Sequence, residues 1–191
     1  MKLLQKTLLA LAAGSMVTVG AQAAVNYGMT AQPYIGAKIG QYDLDGAKDE
    51  ATSYGIYGGA KFTPNFGIEA EYMTTSDEDF TTGALDKAEY SADVYGVYGT
   101  YDYTFPGSQM YAKGRLGIAK NEVDLSSKNP GKRNNGSYSE TGIAGGLGLG
   151  YNLAPNAAVE LAYDWYPKVE NVGEKGDLDA TGITLGANFK F

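Results

Sequence analysis

The sequence predicts an all-β fold, an eight-stranded antiparallel up-and-down transmembrane β-barrel, from three observations. Apolar and polar residues alternate with period two in eight segments, which are separated by alternately short and long connections. The charges within those segments, Lys38, Lys61, Glu69, Glu71, Lys113, Arg115, Glu160, Asp164 and Lys190, all fall on the face opposite the apolar residues. An Arg or Lys facing lipid near the bilayer midplane costs about 2–4 kcal/mol, so the apolar face is the one that can meet hydrocarbon. The chain also carries 27 Gly and 16 Tyr. Tyr suits the interfacial girdles of a barrel, and Gly leaves room inside a narrow lumen. A soluble barrel shares the period but turns its apolar faces inward. An interior rich in Gly36, Gly40, Gly146, Gly148 and Gly150 makes a poor dry core.

At the amino end, residues 1–23 read as a cleaved secretory signal. Lys2 and Lys6 precede a mostly apolar stretch from Leu8 to Val19, and Ala21-Gln22-Ala23 has the small-x-small cleavage form. Gly14, Ser15 and Thr18 interrupt that stretch, which falls short of the ~20 residues of a spanning helix. The barrel domain is therefore expected over 24–191, and removing 23 of 191 residues leaves 168, enough for one domain. An exported chain that enters a membrane without helices must do so as a closed sheet.

The first strand is expected from Pro33 to Tyr42, with Ile35, Ala37 and Ile39 outward. The second, about Ser53 to Phe62, points Tyr54, Ile56, Gly58, Ala60 and Phe62 outward and meets a tight Thr63-Pro64-Asn65-Phe66 turn. The third, Gly67 to Thr74, sets Ile68, Ala70 and Tyr72 against Glu69, Glu71 and Met73. In the fourth, about Tyr90 to Tyr103, the outward set is Tyr95, Val97, Gly99, Tyr101 and Tyr103. A second tight turn, Thr104 to Gln109, has Pro106-Gly107 at its centre, where Pro presets one dihedral and Gly accepts the other. The fifth strand then alternates Met110, Ala112, Gly114, Leu116 and Ile118 with Tyr111, Lys113, Arg115, Gly117 and Ala119. The sixth, about Glu140 to Tyr151, has an inner face almost bare of side chains. After Asn152-Leu153-Ala154-Pro155-Asn156, the seventh points Val159, Leu161, Tyr163 and Trp165 outward. The eighth, Thr184 to Phe191, places Leu185, Ala187, Phe189 and Phe191 on its outer face. Long connections rich in charged and small polar residues are expected at about 43–52, 75–89, 120–139 and 167–178.

Composition excludes several functions. A formal charge of −7, becoming −9 without Lys2 and Lys6, argues against a nucleic-acid partner. With no Cys and no His, the chain lacks thiolate chemistry and the commonest general base and metal ligand. Gly146-Leu147-Gly148-Leu149-Gly150 has the wrong spacing for a dinucleotide loop and reads as a lumen face. Asp43-Leu44-Asp45-Gly46, with Asp49 and Glu50, has calcium-loop flavour, but Ala47 and Tyr54 stand where oxygen ligands are wanted. That segment and Asp77-Glu78-Asp79 read as solvated acidic loops, and Lys128, Lys132 and Arg133 make the third loop locally basic. No catalytic residue, metal site or cofactor is expected.

Tyr34-Ile35-Gly36-Ala37-Lys38-Ile39-Gly40 resembles the opening strand of the OmpA transmembrane domain and related opacity-type small porins. Thr63-Pro64-Asn65-Phe66-Gly67-Ile68-Glu69, Ala144-Gly145-Gly146 with Tyr151-Asn152-Leu153-Ala154-Pro155, Leu161-Ala162-Tyr163-Asp164-Trp165 and Leu185-Gly186-Ala187-Asn188-Phe189-Lys190-Phe191 resemble later strands and turns of that family. The resemblance covers the chain after the signal, though the fourth strand and the loops match only in character. It implies a Gram-negative outer-membrane location reached through the periplasm, contact with outer-membrane lipid and lipopolysaccharide, and a monomer. It also implies a carboxy-terminal signal, Thr184, Gly186, Phe189 and Phe191, read by the barrel assembly machinery. The peptidoglycan-binding domain of full-length OmpA proteins is not matched, so cell-wall anchoring is not carried over.

In the family, inward acids and bases meet in the lumen and can gate it. Lys38 and Glu69 match two of those positions, but the basic position of the seventh strand is Glu160 here and the acidic position of the sixth is Gly150. A rearranged network is expected instead, with Lys38, Lys113 and Arg115 facing Glu69, Glu71, Glu160 and Asp164. The competing reading is that these residues merely plug the bore, since ~8 strands enclose a space just filled by side chains. The expected function is non-enzymatic, an envelope-supporting barrel with room for a narrow pore. The alternatives are a surface adhesin or immune-evasion protein acting through its extracellular loops and, lacking His, a poorly equipped lipid-modifying or proteolytic barrel enzyme.

Overall fold

The computed structural model describes residues 31–44, 50–76, 78–81, 87–127, 136–169 and 178–191. The expected signal and the loop residues Asp45, Asp49, Asp77, Lys128, Lys132 and Arg133 lie outside them. The strands are β1 (Gln32–Leu44), β2 (Ala51–Lys61), β3 (Phe66–Thr75), β4 (Glu78–Thr81), β5 (Lys87–Thr104), β6 (Met110–Ser127), β7 (Gly136–Ala154), β8 (Ala157–Val169) and β9 (Leu178–Lys190). All pairings are antiparallel. Both β3 and β4 pair with β5, so they are two pieces of one wall and nine strands make an eight-walled barrel. β1 closes it against β9, from Tyr34 opposite Lys190 to Leu44 opposite Ala180.

The tight turns are built as their residues dictate. Thr63 Oγ1 accepts the Phe66 amide at 2.8 Å, and the Asn65 side chain donates to the Asp102 carbonyl at 2.7 Å, tying this turn to β5. Gly107 sits at φ 73°, a left-handed conformation that a side chain would strain.

The outer surface carries a continuous apolar belt. Ile143, Leu147, Leu116 and Leu185 are each more than half exposed, which in water would be unfavourable and in hydrocarbon is not. On the last strand the belt runs from Ile183 to Phe191, the ~9–11 residues that a tilted strand needs to cross a bilayer. Rings line both margins. Tyr72 stacks on Tyr95 at 5.1 Å on the long-loop side, and Phe66 meets Tyr101 edge to face at 4.9 Å on the short-turn side.

The walls rise well beyond this belt, which corrects the expected loops. β6 continues to Ser127 and β7 begins at Gly136, so most of 120–139 is strand; β1 reaches Leu44, β2 starts at Ala51 and β5 starts at Lys87. The cause is a reversal of polarity at the belt's long-loop margin. Along the outer faces, Ile39 gives way to Gln41, Ile118 to Lys120 and Glu122, Ile143 to Thr141 and Ile183 to Thr181. The period of two persists across that margin while the apolar set moves to the inside.

Candidate functional site

Within the belt, period two points Lys38 (β1), Glu69 and Glu71 (β3), Lys113 and Arg115 (β6), and Glu160 and Asp164 (β8) into one lumen. All seven residues of the expected network meet there. Lys38 Nζ lies 2.7 Å from Glu71 Oε2 and 3.5 Å from Asp164 Oδ2. Lys113 Nζ lies 2.6 Å from Glu69 Oε2 and 3.3 Å from Glu160 Oε1. Arg115 is the hub: its Nη1 is 3.1 Å from Glu69 and also pairs with Glu71, while its Nη2 and Nε lie 2.7 and 2.8 Å from the two Asp164 oxygens. Asp164 is fully buried and Glu69 is 2% exposed. Removed from water, each carboxylate depends on its cations, because an unpaired charge here would bear the full desolvation cost.

The glycines of the inner face make this convergence possible. Lys38 is flanked across the sheet by Gly55 and Gly186, Lys113 by Gly148, Glu160 by Gly150, and both Arg115 and Asp164 by Gly146. A Cβ at Gly146 would collide with the Asp164 carboxylate. The bare face of the sixth expected strand is therefore filled by its neighbours' long side chains. Gly150 shows the same logic: Tyr111 from β6 covers it and donates to Glu160 at 3.1 Å.

The sequence places Tyr57 and Tyr111 on inner faces, but the part that tyrosines play in the network is not read from it. The Tyr34 hydroxyl donates to Glu69 at 2.9 Å, and the Tyr98 hydroxyl approaches Glu71 at 3.4 Å while its ring lies 4.5 Å from the Arg115 guanidinium. Lys113 stands 5.5 Å from the centroid of Tyr57. The available signal was that Tyr34, Tyr57 and Tyr111 share the parity of Lys38, Lys61 and Lys113 on their own strands. Asp102, also missed, pairs with Lys61 near the short-turn end.

A second layer follows toward the long loops. Two residues past Asp164 is Tyr166, two past Glu71 is Met73, four past Lys38 is Tyr42, and eight past Arg115 is Val123. With Leu44, Tyr90, Ala92, Val94, Ala119, Ala144 and Ala180 they form a buried apolar core across the bore. Tyr42 stacks on Tyr166 at 5.9 Å, and the fully buried Asn121 amide donates to the Tyr42 hydroxyl at 2.8 Å and the Pro167 carbonyl at 3.3 Å. Between the ion pairs, the cavity bordered by Lys38, Tyr57, Glu160 and Thr184 holds about 10 Å³. That is room for about one water.

Residues 9–191 match the family model described as outer membrane protein beta-barrel domain. The chain belongs to this family of outer-membrane barrels. No curated protein matches its sequence. Among solved structures, neisserial surface protein A is similar with a TM-score of 0.62 at 12% identity, over 84% of this chain and 97% of that one. The attachment invasion locus protein of Yersinia pestis gives 0.57 at 20%, over 84% and 97%, and the outer membrane protein OprG from Pseudomonas aeruginosa 0.55 at 20%, over 84% and 95%. At such identities these likenesses speak to fold alone. The remaining residues named from the sequence, Thr184, Gly186, Phe189 and Phe191, fall on the closing wall: Thr184 and Gly186 face the lumen, and Phe189 and Phe191 are exposed on the belt.

Proposed function

We propose that the protein is a closed, non-enzymatic, monomeric barrel of the Gram-negative outer membrane, exported through the periplasm, which supports the envelope and holds a rigid extension above the lipid. The observation that carries this is the pair of barriers in series, the interlocked ion pairs and the apolar core beyond them. In planar bilayers the refolded protein is expected to give no step conductance. Arg115→Ala is expected to stay silent too, because the apolar core still blocks the bore. Openings in that variant would make the network a gate, and openings in the wild type would restore the pore.

A second reading, display of binding loops, is favoured by the length of β5, β6 and β7, which run 18, 18 and 19 residues where ~9–11 suffice to cross. Replacing 128–135 by a two-residue turn leaves those strands intact. Loss of host-cell adhesion in that variant would favour this reading.

The terminal strand is proposed to address the chain to the barrel assembly machinery, with Phe189 and Phe191 offered outward and Thr184 and Gly186 inward. Phe191→Ala should lower the amount recovered in outer membranes while leaving refolding in detergent unchanged. Equal recovery would remove the signal.

A further inference from the structure

The lipid-facing surface carries an oblique slot that none of the described residues fills. Its floor is Gly114 and Ala112 on β6, and its walls are Tyr101 and Tyr103 on β5 and Leu147 and Leu149 on β7. The void is about 640 Å³ and almost wholly apolar, within the ~300–1,000 Å³ of small-ligand sites. Several glycines are covered by neighbours: Gly36 by Tyr57, Gly59 by Tyr34, and on the outer face Gly145 by the Trp165 ring, whereas Gly99, outward on β5, is as open as Gly114. At Gly114 an added Cβ would meet only Leu147 Cδ2, at 3.8 Å. The slot follows the register Tyr101, Gly114, Leu147, Tyr163, Ile183, four strand spacings or ~19 Å long. It therefore climbs from near the short turns to the last apolar residue before Thr181, crossing the belt at an angle.

We propose that this slot is a binding site for one acyl chain of a phospholipid from the periplasmic leaflet. The belt is the face this barrel turns to hydrocarbon, and a groove there is filled by chain methylenes, because an empty one forfeits the dispersion contacts of its walls. The leaflet follows from the shape. The slot is floored by its smallest residues, Ala112 and Gly114, at the short-turn end, where the Tyr101 and Tyr103 hydroxyls can lie at headgroup level. Larger side chains, Leu161, Tyr163 and Ile183, line the far end. This assignment of leaflet rests on the orientation proposed above, with short turns in the periplasm.

Native mass spectrometry of the protein extracted from outer membranes in mild detergent tests the site. The wild type should retain one adduct of phospholipid mass, and Gly114→Leu should reduce its occupancy at least ~tenfold, equivalent to about 1.4 kcal/mol. Ala37→Leu, outward on β1 away from the slot, should retain it. If Gly114→Leu does not insert, Ala112→Leu fills the neighbouring row and gives the same readout. A wild type without an adduct, an adduct undiminished in the slot variant, or equal loss in Ala37→Leu overturns the site. An adduct of lipopolysaccharide mass that Gly114→Leu removes overturns the leaflet, and with it the orientation, while leaving the closed-lumen reading untouched.

Discussion

Arg115→Ala is expected to destabilise the barrel by about 3–5 kcal/mol, the cost of breaking a buried charge network by removing one partner. Among the described residues, Arg115 is the only side chain that touches Glu69, Glu71 and Asp164 together, and two lysines cannot replace its fork. Urea unfolding in lipid vesicles would read the effect as a lowered midpoint at unchanged slope. Arg115→Lys should recover part of the loss, since one ammonium can reach one or two of the three carboxylates. Pairing Arg115→Met with Glu71→Gln should cost less than the two single changes added together, because the double variant removes charge from both sides. An Arg115→Ala barrel with the wild-type midpoint would mean that water, rather than the guanidinium, satisfies those carboxylates.

The second large effect tests where the outer face changes polarity. Leu147→Arg and Ser139→Arg introduce the same side chain on the same face of β7, eight positions apart. Leu147 lies midway along the belt, where Arg costs about 2–4 kcal/mol, whereas near or beyond the interface the cost falls to about 0–1 kcal/mol. Vesicle refolding equilibria should therefore separate the two variants clearly. Equal penalties would place Ser139 in hydrocarbon and erase the polarity boundary.

The barrel itself was legible because lipid imposes one rule on every wall within the belt. Ile35, Ile68, Leu116 and Leu161 obey it, and their partners across the period, Lys38, Glu69, Arg115 and Glu160, are the charges that must then meet inside. The fourth expected strand was hard to read because Tyr appears on both of its faces, Tyr98 inward against Arg115 and Tyr101 outward against Phe66. The upper walls were not legible on the same rule. Asp43, Lys120 and Glu122 read as loop when outward means lipid, and as ordinary strand once outward means water. Tyr42, Leu44 and Val123 then make sense as the interior of a barrel whose outer face meets water. The tyrosine bonds to Glu69 and Glu160 depend on which strands lie opposite one another across the bore, which pairing order along the chain does not reveal.

The upper storey also acts as the head of a rivet. Its charged exterior, Lys120, Glu122 and Asp124 among others, cannot slip back through hydrocarbon, and its core cannot thread the lumen while packed. Once that core has set on the far side, withdrawal requires it to come apart first. Residence in the membrane is then governed by the rate of opening this small water-facing domain as well as by the depth of the lipid well.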